Sequence, residues 1–259
     1  MEKIFSTLTH TLSCLMPDNP LSVYLYGSCA ADDYQPGWSD IDFICFTKTP
    51  PTKEQANFLL LMRQALCDAH QDSRFRLLEG VIVCLDEFLS GRYTRVLYYG
   101  TSGQRITTQW QMDPFSLLSL HKNGKLLLGE DIRPLLPCPT YADLVDGIRF
   151  HLSTIRTYAK ETDGSLYSCG WLLDIARCLY TLRNKTIISK TEAGKWALQQ
   201  HLCPEPDQME RTLIVRKNPS EALKNPDTHD WLKTLGPSVQ KFADVLEKEL
   251  EEQTNEQMV

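Results

Sequence analysis

The stretch from Gly27 to Asp42 constrains the fold of this chain more than any other. One apolar run, Val23 to Tyr26, ends at its start, and a second, Ile41 to Phe46, begins near its end. Apolar runs bounded by Gly, Pro and Ser are typical of buried strands. The sequence therefore predicts a strand, a Gly-Ser turn, a loop containing Pro36-Gly37, and a second strand that opens with Ser-Asp-Ile-Asp.

Two carboxylates, Asp40 and Asp42, stand two residues apart at the start of the second strand. Side chains at this spacing point to the same face of a strand, where two carboxylates repel each other unless a cation is present. Mg²⁺ suits such a pair, because it is bound by one or two carboxylates and keeps positions for water and substrate phosphates. Gly27 would let the backbone approach a phosphate, and Ser28 would donate to it. These residues together predict a nucleoside triphosphate held on a two-carboxylate magnesium site.

A third carboxylate, Glu79, lies inside a predicted strand over residues 74–85. A carboxylate within an apolar strand is rarely buried without a partner or a purpose. Glu79 is therefore a candidate functional residue. The alternative is a solvent-facing glutamate at a sheet edge.

The pattern of the chain changes from mixed strands and helices to helices alone after a linker marked by Pro134, Pro137 and Pro139. We expect an α+β fold, in which an N-terminal domain over 1–135 has a mixed sheet flanked by helices. A helical bundle follows over 140–253, with a frayed acidic tail at 254–259. Within the first domain we expect a further strand at 93–99 and a loop at 100–108.

The predicted helix over 166–183 is apolar except for one polar stripe, formed by Asp174, Arg177, Thr181 and Asn184. A stripe of this kind indicates a wet cleft, in which the forked donors of Arg177 would reach a phosphate. The alternative is a solvent-facing stripe with an Asp174–Arg177 ion pair.

The next helix is predicted to begin at Ser189, because Glu192 follows three residues later and completes a capping box. Lys190 then lies in the first turn of that helix. A cation is unfavourable there unless an anion is near. A triphosphate would supply the anion, and the alternative is an exposed lysine.

The amino-acid sequence of the opening motif resembles that of a known family. Leu25-Tyr26-Gly27-Ser28, followed by Gln35-Pro36-Gly37-Trp38-Ser39-Asp40-Ile41-Asp42, is similar to the streptomycin/spectinomycin adenylyltransferases of the aminoglycoside nucleotidyltransferase family. The resemblance implies an N-terminal nucleotidyltransferase domain and an ATP-dependent enzyme with two Mg²⁺ ions on Asp40 and Asp42. It further implies that Glu79 is the general base and that Gly27, Ser28 and Ser39 bind the nucleotide.

The resemblance extends into the helical half. It implies that Arg177 and Lys190 contact the nucleotide phosphates, and that the helical domain completes the nucleotide and acceptor cleft. Asp163 falls at one acidic acceptor-binding position of the family, and Tyr167 stands where the family has a second acidic residue. The Gly-Glu-Trp motif of the family has no counterpart after Tyr99.

The implied acceptor is a hydroxyl of an aminoglycoside-type antibiotic of the spectinomycin or streptomycin class, with pyrophosphate as the second product. The departures at Tyr167 and after Gly100 leave a second hypothesis open, in which the acceptor is a protein, an RNA or a metabolite. A third hypothesis is a nucleotide-binding regulator without transfer activity.

Composition narrows the partners. The net charge of −6 argues against a nucleic-acid partner and is compatible with a small cationic acceptor. The nine cysteines include no C-x-x-C pair, which indicates free thiols in a reducing compartment. We find no signal-type segment at the start and no apolar run long enough for a membrane span. We therefore expect a cytoplasmic monomer with no membrane partner.

Overall fold

The structure, a computed structural model, describes residues 1–70, 73–100 and 103–256. The chain divides into two compact units. The first unit contains Met1–Asp32 and Ser39–Cys138, and the second contains Asp33–Trp38 and the chain from Pro139 onward. The short segment Asp33–Trp38 thus belongs to the helical unit although it lies between the first two strands in sequence. The sequence analysis did not anticipate this insertion.

Within the described residues, the first unit is built on one mixed sheet of six strands, in the order β5-β4-β3-β2-β1-β6. The strands are β1 (Pro20–Leu25), β2 (Ile41–Thr47), β3 (Leu78–Cys84), β4 (Val96–Gly100), β5 (Gly103–Thr107) and β6 (Lys125–Gly129). Strands β2 and β3 are parallel, and every other neighbouring pair is antiparallel. The mixed sheet and the helical second unit confirm the predicted α+β class.

Two expectations for this sheet are wrong. The segment 73–77 forms a 3₁₀ helix, so the third strand begins at Leu78 and not at residue 74. The region predicted as a loop at 100–108 contains β5, none of whose residues is buried, and β5 therefore lacks an apolar strand pattern. Residues 101 and 102 of that predicted loop lie outside the described residues.

Helices cover both faces of the sheet. They are α1 (Glu2–Leu15), α2 (Gly27–Ala30), α3 (Lys53–Ala69), α4 (Leu85–Ser90) and α5 (Pro114–Asn123), with a further 3₁₀ turn at Arg133–Leu135. The start of α3 is fixed by a capping box between Thr52 and Gln55, and α5 begins after Asp113, which accepts from the backbone N–H of Ser116.

Alternation along β2 and β3 divides the sheet between two cores. Ile44, Phe46, Val81 and Val83 face a buried cluster that includes Leu117 and Leu120 of α5. Phe43, Cys45 and Ile82 point to the opposite face, where α1 and α3 pack. Asp42 and Glu79 precede Ile44 and Val81 by two residues, so both carboxylates point to the α5 side.

Every regular element of the second unit among the described residues is a helix. Its helices are α6 (Tyr141–Tyr158), α7 (Tyr167–Asn184), α8 (Lys190–Gln199), α9 (Pro206–Lys217), α10 (Pro219–Ala222), α11 (Pro226–Lys233) and α12 (Gly236–Glu256). Helix α7 lies at the centre and packs against α6, α8, α9, α11 and α12. The predicted tail at 254–259 starts inside α12, and residues 257–259 lie outside the described residues. No helix among those described has the length and apolar character that a membrane span requires.

Candidate active site

Two of the three predicted carboxylates are direct neighbours in the sheet. In the parallel register of β2 and β3, Asp42 pairs with Glu79. Asp40 lies two residues before Asp42, at the mouth of the same strand, and all three residues are partly exposed. Strand β3 lies between β2 and β4, which rules out the sheet-edge alternative for Glu79. The pairing places the like charges of Asp42 and Glu79 side by side, which folding alone would not favour.

Gly27 holds the turn after β1 against the Asp42 carboxylate. Its φ angle is +62°, and a Cβ built on it would lie 2.1 Å from Oδ2 of Asp42. The backbone N–H of Tyr26 donates to the carbonyl of Asp42 at 3.1 Å, and that of Gly27 donates to Oγ of Ser119 at 3.2 Å. Only glycine fits here without strain, because the position needs both a left-handed backbone and no side chain. The turn at Gly27 therefore packs directly on Asp42.

Two groups near these carboxylates, Tyr26 and Cys29, have raised pKa values, in part because of the negative charge of the site. Burial is the main reason that the pKa of the Tyr26 hydroxyl lies well above its usual value. The charge of Asp42 adds most among its neighbours, followed by Asp113 and Glu79. Burial also raises the pKa of the Cys29 thiol to about 12, with Asp42 again contributing. A site of this charge favours a cation.

Magnesium fits this donor set better than a metal that needs a full protein cage. Within the described ranges, no group of three or more His, Cys, Asp or Glu residues is arranged to hold a metal ion. Asp40 and Asp42 offer carboxylate oxygen alone, which is the ligand type that Mg²⁺ takes while retaining water and substrate phosphates. The close contact between Gly27 and Asp42 leaves this side of the carboxylate lined by backbone, not by a side chain.

A cavity of about 380 Å³ opens beside Glu79, with Asp40 also on its wall. Its volume lies in the range of small-molecule sites. Arg63 borders it and donates from one guanidinium nitrogen to the carbonyls of Leu78 and Gly100, at 3.2 Å each. A Cβ on Gly100 would lie 2.7 Å from Oε1 of Glu79, so the end of β4 packs closely on this carboxylate.

In the helical unit, the two predicted phosphate-binding cations meet at one carboxylate. Lys190, the first residue of α8, lies 2.9 Å from Asp174, and Arg177 lies 3.4 Å from it. Burial by itself raises the pKa of Asp174, but the charges of Lys190, Arg177 and His151 outweigh it, and the pKa of Asp174 is lowered. The Asp174–Arg177 ion pair, which was the alternative interpretation of the polar stripe, is present, and Lys190 also pairs with Asp174.

Ser189 caps α8 as predicted, because its hydroxyl accepts from the backbone N–H of Glu192 at 3.2 Å. The predicted capping box is only half formed, because the Glu192 carboxylate lies 3.5 Å from the Ser189 hydroxyl and does not accept from the Ser189 backbone N–H. One residue of the predicted polar stripe on α7, Thr181, does not serve the predicted cleft. Thr181 is buried and donates to the carbonyl of Arg177 at 2.8 Å, so it supports its own helix.

The two predicted acceptor residues lie at the start of α7. Asp163 accepts through Oδ1 from the backbone and hydroxyl of Ser165 and from the hydroxyl of Ser168. The Ser165 hydrogen bonds are the main cause of the lowered pKa of Asp163. Tyr167 is the first residue of the helix and is 63% exposed. Asp163 thus organises its own loop through one oxygen, and Tyr167 presents an open ring.

The sequence analysis missed one buried ion pair in the helical unit, between Asp33 and Arg216. The two residues are 183 positions apart, and neither lies in a motif. The only local signal is an arginine placed after Val215 on the buried side of a helix.

Comparisons with known proteins cover both units. Residues 135–249 match the family model described as the C-terminal domain of aminoglycoside adenylyltransferase. Residues 12–92 match the model described as a nucleotidyltransferase domain. A comparison with curated protein sequences found no match.

Among solved structures, the spectinomycin adenyltransferase AAD(9) from Enterococcus faecialis, solved with ATP and spectinomycin, is similar with a TM-score of 0.71. The two chains are 15% identical, over 95% of this chain and 99% of that chain, so the likeness concerns the fold. A structure of the toxin–antitoxin pair MntA–HpeT has a TM-score of only 0.30 at 13% identity. That match covers 59% of this chain and 90% of that chain.

Proposed function

The chain is a nucleotidyltransferase of the aminoglycoside nucleotidyltransferase family, and from this premise we propose that it transfers AMP from ATP to a hydroxyl of an aminoglycoside-type antibiotic. The acceptor class is that of spectinomycin and streptomycin, and pyrophosphate is released. The observation that carries the proposal is the pairing of Asp42 with Glu79 on adjacent parallel strands, beneath the turn at Gly27.

In this reaction Glu79 is the general base. It accepts the proton of the acceptor hydroxyl, whose oxygen forms a bond to the α-phosphorus of ATP. The bond from that phosphorus to the bridging oxygen breaks, and pyrophosphate leaves. The cavity beside Glu79 supports this role, because it gives a hydroxyl a path to the carboxylate.

Asp40 and Asp42 would hold magnesium, two ions by the family resemblance. When bound there, magnesium would neutralise charge on the triphosphate and on the leaving pyrophosphate. The proposed nucleotide contacts of the first unit are Gly27, Ser28 and Ser39. Gly27 keeps the Asp42 carboxylate in place and allows a phosphate to approach the backbone.

The helical unit supplies the proposed phosphate-binding cations, Arg177 and Lys190. Both form ion pairs with Asp174, and these pairs reduce the conformational freedom of two long side chains before the nucleotide binds. Lys190 has three N–H donors and Arg177 has five, so each keeps donors for phosphate oxygens while it contacts Asp174.

The proposed acceptor contacts are Asp163 and Tyr167. An aromatic ring exposed at a helix start offers a face for a sugar or cyclitol, and a carboxylate attracts amines. We further propose that the protein acts as a monomer in the cytoplasm, where modification of the drug would confer resistance.

Pyrophosphate release with ATP and Mg²⁺, with and without spectinomycin or streptomycin, tests the proposal. We expect release that needs both Mg²⁺ and one of the drugs, and that Asp42→Asn abolishes. Asp32→Asn is the matched control, because Asp32 lies in the connection that leads to β2 and its side chain is 88% exposed in an ion pair with Lys125. An active Asp42→Asn enzyme, or release without Mg²⁺, would overturn the mechanism.

One observation favours a different acceptor as a second candidate. The cavity beside Glu79 is lined by two arginines, Arg63 and Arg76, which would repel a cationic drug and favour a neutral or anionic acceptor. Incubation with labelled ATP and pooled proteins, RNAs or metabolites separates the two candidates by the identity of the labelled product. Tight ATP binding without pyrophosphate release over the whole panel would instead indicate a nucleotide-binding regulator.

A further inference from the structure

The inserted segment, residues 33–38, is embedded among helices of the second unit. Gly37 has a φ of +87°, and a Cβ on it would lie 2.5 Å from Oγ of Ser220 at α10. The Trp38 ring packs close to Gly170 of α7, where a Cβ would lie 3.7 Å from it. Connecting loops are usually mobile, whereas this segment lies in close contact with both α10 and α7 and therefore has a fixed place.

Arg216 of α9 holds the inserted segment through a buried network. Its guanidinium donates to Oδ2 of Asp33 at 2.7 Å and to the hydroxyl of Thr191 at 2.9 Å. The Thr191 hydroxyl donates in turn to Oδ1 of Asp33. The guanidinium also lies over the Trp38 ring, 5.2 Å from its centroid. The side chains of Arg216 and Asp33 are 3% and 8% exposed.

A buried pair of this kind is not needed for stability alone, because apolar residues of similar volume often replace such pairs without loss. The pair instead fixes the position of the inserted segment relative to the helices that it contacts. Two oxygens of Asp33, the fork of Arg216 and one hydroxyl fix a single arrangement, whereas an apolar contact would tolerate sliding.

The network adjoins two groups of proposed site residues along the chain. Thr191 directly follows Lys190 in the first turn of α8. At the other end, only Ser39 separates Trp38 from Asp40, and consecutive Cα atoms are about 3.8 Å apart. Movement of the inserted segment on α8 would therefore be passed to Asp40 with little slack.

We propose that Arg216 is a positioning residue, which fixes the inserted segment on the first turn of α8 and thereby couples Lys190 to the carboxylates Asp40 and Asp42. The inference rests on the proposed function. Arg216 itself touches neither ATP nor the acceptor in this scheme.

The test compares Arg216→Lys with Arg156→Lys in the full-length protein. Both changes keep the charge and remove the fork, and Arg156 is an arginine of the same unit that pairs with Asp244 and Glu247. We expect Arg216→Lys to lower kcat at least about tenfold, because small misplacements of reacting groups have large effects on rate. It should also raise the Mg²⁺ concentration for half-maximal activity. Arg156→Lys should leave both unchanged.

Hydrogen exchange of the amides at 33–38 and at Thr191 provides a readout that does not depend on turnover. These amides should exchange faster in Arg216→Lys and should keep wild-type rates in Arg156→Lys. Faster exchange together with wild-type kcat and Mg²⁺ dependence would overturn the coupling. Wild-type exchange in Arg216→Lys would overturn the anchoring itself.

Two further measurements keep the outcomes distinct. If Arg216→Lys does not fold, Thr191→Val tests the same network at nearly constant volume, and it should lower kcat in the same direction. If the wild-type protein releases no pyrophosphate with any acceptor, the proposed function fails. The coupling is then decided by binding of a fluorescent ATP analogue with Mg²⁺, which Arg216→Lys should weaken and Arg156→Lys should not.

Discussion

At the scale of single residues, Gly27 has the most direct effect on the candidate site. Gly27 and Gly91 both have left-handed backbones, with φ angles of +62° and +66°. A Cβ on Gly27 would collide with the Asp42 carboxylate, whereas a Cβ on Gly91 would meet nothing within 4 Å. The two glycines therefore separate backbone strain from displacement of the carboxylate.

Gly27→Ala and Gly91→Ala should each lower the free energy of unfolding by about 1–2 kcal/mol from strain alone. Only Gly27→Ala should also lose activity, by about a hundredfold or more, since it displaces Asp42. Urea unfolding and pyrophosphate release measure the two effects. A Gly27→Ala enzyme with wild-type kcat would contradict the placement of Asp42 in the reaction.

The cysteines give a second prediction at this scale. Burial raises the pKa of Cys29 and Cys45 to about 12, while Cys14 and Cys138 are exposed. At pH 8 a thiol of pKa near 12 is only ~10⁻⁴ thiolate, the reactive form. Iodoacetamide should label Cys14 and Cys138 quickly in the native protein, should label the half-buried Cys29 slowly, and should reach the buried Cys45 only after unfolding. Mass spectrometry of the labelled peptides provides the measurement, and labelling of Cys45 in the native protein would contradict its burial.

At the scale of elements, the start of α8 combines a cap, a cation and a buried carboxylate. Because the folded-state pKa of Asp174 is lowered, this group stabilises the protein above its ordinary pKa, 3.8, and that contribution is lost as pH falls through the lower folded value. Lys190 is the largest source of the lowering. Without Lys190 the pKa of Asp174 would be lowered less, and the contribution would be lost at a higher pH.

Lys190→Ala should therefore begin to unfold at a higher pH than the wild type during acid titration. It should also raise the KM for ATP about tenfold, the effect of losing one charge-assisted phosphate contact. Lys195→Ala is the matched control, because Lys195 lies on the same helix and is exposed. Circular dichroism against pH and steady-state kinetics provide the two readouts. Equal acid unfolding of the two variants would contradict the Lys190–Asp174 pair.

Local sequence patterns predicted those elements whose residues are buried by their own neighbours. The strand ending at Leu25, the strand opening at Ile41 and the cap at Ser189 follow from apolar runs and capping residues. Strand β5 was missed because it lies at the sheet edge and its exposed residues carry no alternation. The Asp42–Glu79 pairing depends on which strands become neighbours, which no local pattern contains.

At the scale of the whole molecule, the inserted segment makes the two halves of the sequence unequal to the two units. A chain cut at Cys138 would remove residues 33–38 from the helical unit and leave Arg216 without Asp33. A buried charge that loses its partner costs about 3–5 kcal/mol, whereas an apolar residue in the same place has no such cost. The effect of one substitution should then differ in size between the two chain lengths.

Arg216→Met should destabilise the full-length protein, because it leaves Asp33 buried without a cation. The same substitution should change the stability of the fragment 139–259 little, because the guanidinium there has lost Asp33 and Trp38 and is open to water. Urea unfolding of the four proteins, each followed by circular dichroism, gives the two differences. Arg156→Met is the control, since Asp244 and Glu247 are present in both chain lengths and its effect should be of the same size in both. A loss of stability for Arg216→Met in the fragment as large as in the full chain would show that Arg216 is held by the helices themselves and not by the inserted segment.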